Sequence, residues 1–133
     1  MSPAYVDSSA LVKLVVHEPE SDALRRFLAT AGPLVTSLLA TVEVARAAGR
    51  LGSGSDATMP PVFEAMSVVA FDARLASRAA ALSPASLRAL DAIHLATALE
   101  LGDELTAFVC YDHRLGAAAR ELGLPVVAPT SES

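Results

Sequence analysis

Two rhythms of apolar and polar residues run through the chain. Short unbroken apolar runs occur at 4–6, Leu34-Val35-Thr36, Val68-Val69-Ala70-Phe71, Thr106-Ala107-Phe108-Val109-Cys110 and Pro125-Val126-Val127. Between them lie longer stretches with apolar residues three and four apart, such as Leu11, Leu14 and Val15. The runs predict buried strands and the stretches predict amphipathic helices. Alternation of the two predicts parallel strands joined by right-handed crossovers, with helices on both faces of one sheet.

Capping and breaking residues set the expected boundaries. Ser8 or Ser9 is expected to cap the first helix. Pro19 is expected in the first turn of a second helix that runs to about Thr30. Ser37 or its neighbour opens a long helix through about Leu51, where Gly52-Ser53-Gly54-Ser55 breaks it. Pro60-Pro61 starts a short helix through Met66, and Asp72 caps a helix carrying Leu75, Ala79 and Leu82. Ser86 is expected to cap a helix from Leu87 to about Leu101, and a last helix spans His113 to Leu122. No repeat, linker or second domain is visible, so 1–133 reads as one domain with a loose tail, 129–133.

Composition narrows the function classes. With 53% hydrophobic and 19% charged residues, the chain can bury a core built of Ala, Leu and Val. No apolar run approaches the roughly 20 residues that span a bilayer. Met1-Ser2-Pro3 lacks the basic start of a signal peptide, and one cysteine, Cys110, excludes an internal disulfide framework, so a cytoplasmic protein is expected. A net charge of −5 argues against a broadly basic nucleic-acid binder. It does not exclude a nuclease, because cations reverse the local charge of an acidic site.

Four acids stand out: Asp7, Glu43, Asp91 and Asp112. Asp7 and Asp112 directly follow strands, so both point to the carboxyl edge of a parallel sheet, where ligands bind. Glu43 interrupts the apolar run from Leu38 to Ala45, and Asp91 stands between Leu90 and Ile93. All four can reach one cleft. Mg²⁺ takes carboxylates, waters and phosphate oxygens, and two such ions about 4 Å apart can clamp a phosphodiester displacement by a metal-activated water. The plainer alternative is that Asp7 and Asp112 only cap the helices that follow them.

The stretches Tyr5-Val6-Asp7-Ser8-Ser9-Ala10-Leu11-Val12-Lys13, Ser37-Leu38-Leu39-Ala40-Thr41-Val42-Glu43, Leu90-Asp91-Ala92-Ile93-His94-Leu95-Ala96-Thr97-Ala98 and Cys110-Tyr111-Asp112-His113-Arg114-Leu115 together resemble the PIN domain, most closely the VapC-type toxin ribonucleases. The resemblance implies a three-layer α/β/α sandwich with a five-stranded parallel sheet in the order 3-2-1-4-5. It implies an acidic tetrad at Asp7, Glu43, Asp91 and Asp112, a supporting hydroxyl at Ser9, and RNA cleavage, often of tRNA or rRNA, with Mg²⁺ or Mn²⁺. A VapB-type antitoxin and a homodimer are the implied partners. Many PIN nucleases carry a further acid where Arg114 stands here, which leaves Arg114 as a phosphate contact and a second metal in doubt.

Other residues have competing readings. Arg46 and Arg50 share a helical stripe with Glu43 and suit either phosphate guidance or surface pairing. Arg74, Arg78 and Arg88 read as solvated. His94, one turn after Asp91, suits a structural role or a bond to a site carboxylate. His17, His94 and His113 lack zinc spacing. A receiver-type phosphoacceptor would need a late lysine, and Lys13 is the only one. A haloacid-dehalogenase-type phosphatase would need an Asp where Ser9 stands. A PIN domain that only binds RNA or protein stays open.

Overall fold

The computed structural model describes residues 2–51 and 61–131. The expected break at Gly52–Ser55, and Pro60, lie outside the described residues. Five parallel strands, β1 (Ala4–Val6), β2 (Leu34–Ser37), β3 (Ser67–Val69), β4 (Ala107–Val109) and β5 (Val126–Val127), form one sheet in the order β3-β2-β1-β4-β5. This is the expected fold and order. Six helices connect them: α1 (Ser8–Val15), α2 (Ser21–Thr30), α3 (Leu38–Arg50), α4 (Ala73–Ala80), α5 (Ala89–Leu99) and α6 (His113–Glu121).

The central strand shows how the layers are built. Successive residues of a strand face opposite sides. Ala4 and Val6 of β1 pack with Ala10, Leu11, Leu24, Ala40 and Val44 from α1, α2 and α3. Tyr5, between them, faces the other side and packs with Phe108, Leu95, Ala98, Leu115 and Ala119, which come from β4, α5 and α6. Helix α4 packs on α5 through Leu75, Ala79, Ala92 and Ala96. None of the described helices is long and apolar enough to cross a membrane.

Several boundaries differ from expectation. Asp7, not Ser8 or Ser9, caps α1: its carboxylate accepts from the Ala10 backbone N–H at 3.2 Å. Both serine hydroxyls are drawn to carboxylates instead, Ser8 to Glu43 and Ser9 to Asp7. Pro19 precedes α2 rather than entering it. The Ser21 hydroxyl accepts from Glu18 N and donates to Lys13 O, which folds 18–21 into a turn. Ser86 does not cap α5; that helix starts at Ala89 after Arg88, with no side-chain cap. Strand β3 ends at Val69, so Ala70 and Phe71 leave the sheet and Phe71 is exposed. Ser37 and Asp72 cap α3 and α4 as expected.

Candidate active site

The chain moves outward from β1 through β2 to β3, then returns to place β4 on the other side of β1. Such a reversal opens a crevice at the carboxyl ends of the strands. Val6 pairs with Val109, so β1 and β4 end level. Asp7 leaves the sheet directly after β1, and Asp112 stands three residues after β4. Both cap the following helix, Asp112 accepting from the backbone N–H groups of Arg114 and Leu115. Capping and a place in the cleft are therefore compatible roles for these two side chains.

Ser9 fastens the two strand ends together. Its hydroxyl donates to Asp7 Oδ1 at 2.7 Å and accepts from the backbone N–H groups of Tyr111 at 2.9 Å and Asp112 at 3.3 Å. Three groups from two strands thus share one hydroxyl. Asp7 itself is almost wholly buried. Burial pushes its carboxyl above the usual carboxylate range, against the lowering effects of the Ser9 bond and of nearby His94.

Glu43 reaches the cleft from the second turn of α3. Its Oε1 lies 2.6 Å from His94 Nε2 on α5 and accepts from the Ser8 hydroxyl at 2.5 Å. Burial alone would raise this carboxyl; the His94 hydrogen bond and charge and the Ser8 bond outweigh it and hold the carboxyl below its ordinary value. The other ring nitrogen, His94 Nδ1, lies 2.7 Å from Tyr5 Oη. Tyr5 is fully buried and stacked on Phe108 at 5.3 Å. Burial, then the charges of Asp7 and Glu43, push the Tyr5 phenol well above its ordinary value, so it keeps its proton.

Asp91 sits in the first turn of α5, partly exposed. Burial and then the charge of Asp112 raise its carboxyl, while Arg88, His94 and Arg114 oppose the shift. Arg88 Nε stands 3.9 Å from Asp91 Oδ2, so this arginine, read as solvated from sequence, lies at the edge of the site although it is exposed. Arg74 and Arg78 pair with Glu100 at the surface. Arg114 is exposed and, with Arg88 and Asp91, lines a recess of about 180 Å³. Arg46 and Arg50 line a second recess of about 400 Å³ that includes Glu43, Val42 and Leu90.

The donor set is all-oxygen and hard. Among the described residues, no three His, Cys, Asp or Glu side chains close up tightly enough to hold a metal ion by themselves. Mg²⁺ does not require such a cage: it is usually held by one or two carboxylates, with waters and substrate phosphates completing the octahedron. The repulsion between Asp91 and Asp112 is what a divalent cation would relieve, so these residues fit the group.

The bond from His94 to a site carboxylate, one of the two readings its position allowed, is made to Glu43; the partners Tyr5 and Ser8 were not foreseen. The only local signal of this arrangement was a polar ring on each of two apolar elements, at Tyr5 and His94.

The family model described as the PIN domain matches residues 4–122. The chain belongs to the PIN domain family. Ribonuclease VapC46 of Mycobacterium tuberculosis strain H37Rv is 46% identical over 130 residues, covering 98% of this chain and all of that protein. Ribonuclease VapC47 of the CDC 1551 strain is 40% identical, covering 94% of this chain and 96% of the relative. Among solved structures, Mycobacterium tuberculosis VapC20, described as a sarcin–ricin loop cleaving toxin, superposes with a TM-score of 0.73 at 19% identity over 95% of this chain and 99% of that one. A chain of a toxin–antitoxin complex from Klebsiella pneumoniae gives 0.69 at 24% identity, over 95% and 97%. At such identities the two structures speak for the PIN fold.

Proposed function

We propose that this PIN domain is the endoribonuclease toxin of a VapBC-type pair, and that Asp7, Glu43, Asp91 and Asp112 hold a catalytic Mg²⁺ or Mn²⁺. The observation that carries the reading is the meeting of Asp7 and Asp112 at one sheet edge through the Ser9 hydroxyl, with Asp91 feeling the charge of Asp112. The near full-length likeness to VapC ribonucleases supports the same chemistry.

When bound, the cation supplies Lewis acidity toward water and toward the scissile phosphate. The protein's own residues perform the rest. Ser9 fixes the distance between the two strand ends. His94 and Ser8 keep Glu43 ionised and in one orientation. Arg46 on one side and Arg88 and Arg114 on the other are placed to meet phosphates that flank the cut. An arginine at 114 takes the place of a further carboxylate and favours phosphate contact over a second fully ligated cation. The substrate is cytoplasmic RNA, tRNA or rRNA. The proposed partners are a VapB-type antitoxin, an assembly of the kind named for the Klebsiella structure, and a second copy of the chain.

End-labelled tRNA and rRNA fragments, incubated with antitoxin-free protein and Mn²⁺, test the reading. Discrete products that vanish with Asp112→Asn are expected. RNA retained on the protein but left intact would identify a binding module instead.

A further inference from the structure

His94 is buried inside the apolar face of α5, and both of its ring nitrogens meet polar groups of other elements. Nδ1 meets the Tyr5 hydroxyl at 2.7 Å, and Nε2 meets Glu43 at 2.6 Å and Ser8 Oγ at 3.2 Å. The donors can be assigned from chemistry. An ionised carboxylate only accepts, so Nε2 carries the hydrogen that Glu43 receives. Nδ1 faces the Tyr5 oxygen: in the neutral ring it is a lone pair that the Tyr5 O–H fills, and in the imidazolium it donates to that oxygen. The result is a chain of contacts, Tyr5 Oη to Nδ1 and Nε2–H to Glu43, with the Ser8 hydroxyl donating to the same carboxylate oxygen. Its far end is fixed in the core, because the Tyr5 ring is stacked on Phe108.

Resting on the cation-site reading above, we propose that His94 is the positioning residue for Glu43: with Tyr5 behind it and Ser8 beside it, it holds one carboxylate oxygen so that the other is presented to the divalent cation. Tyr5 holds the other nitrogen, so the ring stays oriented with Nε2 toward Glu43. A histidine that only filled space would need neither partner. Outer partners that orient a ligand are worth about 10–100-fold in metal affinity when removed.

The test is Mn²⁺ binding by the RNA-free protein, measured by calorimetry, for wild type, His94→Leu, His94→Gln and Tyr5→Phe, with Asp91→Asn as the site control. His94→Leu should weaken Mn²⁺ by about 10–100-fold. His94→Gln, whose amide can donate near the place of Nε2, should recover part of the loss. Tyr5→Phe, which keeps the ring and its stacking, should give a smaller loss and should shift the His94 Nδ1 resonance in nitrogen-15 spectra.

Folded His94→Leu or Tyr5→Phe proteins that bind Mn²⁺ as wild type does, while Asp91→Asn does not bind, would overturn the positioning role alone. Wild-type affinity with only a lowered Tm is what a packing role predicts. If His94→Leu fails to fold, the Tyr5→Phe affinity and the nitrogen-15 spectrum of the wild type decide: a ring protonated at Nδ1 alone contradicts donation to Glu43. Wild-type protein that binds no Mn²⁺, or Mn²⁺ binding untouched by Asp91→Asn, would overturn the cation site itself and this role with it.

Discussion

Glu43 and Asp91 stand on α3 and α5, two helices that meet through the Glu43–His94 contact, and are held in opposite ways. Glu43 is clamped by an imidazole and a hydroxyl, which stabilise its charge and hold its carboxyl below the ordinary value. Asp91 has no hydrogen-bond clamp of that kind among the described residues; its carboxyl is raised by burial and by Asp112, with Arg88 3.9 Å away as partial relief. On the proposed cation reading, Glu43 is the pre-organised ligand and Asp91 the one whose repulsion a cation would relieve. The two positions should therefore respond alike in catalysis and differently in stability.

The largest effect is on turnover. Asp91→Asn and Glu43→Gln should each lower metal-dependent RNA cleavage by at least roughly 100-fold, since a bound cation supplies several kcal/mol of transition-state stabilisation. Initial rates on one labelled RNA check this. Equal loss at both positions fits one shared site, and loss at only one would break it.

Stability separates them. Ser9→Ala strips the acceptor from two backbone N–H groups and a donor from Asp7, and should cost about 1–3 kcal/mol in urea unfolding. Glu43→Gln should cost about 1–2 kcal/mol, because it removes the charge that the His94 and Ser8 donors face. Asp91→Asn in EDTA should leave the unfolding midpoint unchanged or higher, since it removes repulsion. A clear destabilisation by Asp91→Asn would mean that Asp91 is a structural partner rather than a waiting ligand.

The smallest effect is a pH dependence of opposite sign at the two positions. Asp7 and Asp91 have raised folded-state values, so folding favours their protonated forms. Their contribution is fully present below the unfolded Asp value, near 3.8, and is lost as pH rises through the folded values. Glu43 has a lowered folded-state value, so its contribution is present above the unfolded Glu value of 4.5 and is lost as pH falls through the folded one. In EDTA, wild-type Tm should fall as pH rises from about 4 toward neutrality, relative to an Asp91→Asn reference. Glu43→Gln should flatten only the acid side. A parallel pH profile for all three proteins would contradict the comparison.

Much of this was legible because it is local. A carboxylate directly after an apolar run marks a strand end, and in a parallel sheet all strand ends share an edge, so Asp7 and Asp112 could be brought together from spacing alone. Ser37 and Asp72 announced their caps for the same reason. What escaped depended on contacts far apart in the chain. Tyr5 and His94 are 89 residues apart, and Ser8 and Glu43 are 35 apart. Ser8 and Ser9 suited the cap as well as Asp7 did by residue type, and only the fold shows that Asp7 fills that place while both hydroxyls turn to carboxylates. Arg88 looked solvated because its partner role depends on where α5 begins, and the expected Ser86 cap set that start too early.

The proposed function requires the four carboxylates to act as one metal-dependent RNA-cutting site. Its most direct test is total RNA incubated with purified, antitoxin-free protein, with Mg²⁺ or Mn²⁺, with EDTA, and with Asp7→Asn in place of wild type. Discrete fragments that require the cation and disappear in the variant are expected. Fragments that persist in EDTA or with Asp7→Asn, or intact RNA throughout with correctly folded protein, would contradict the proposed function.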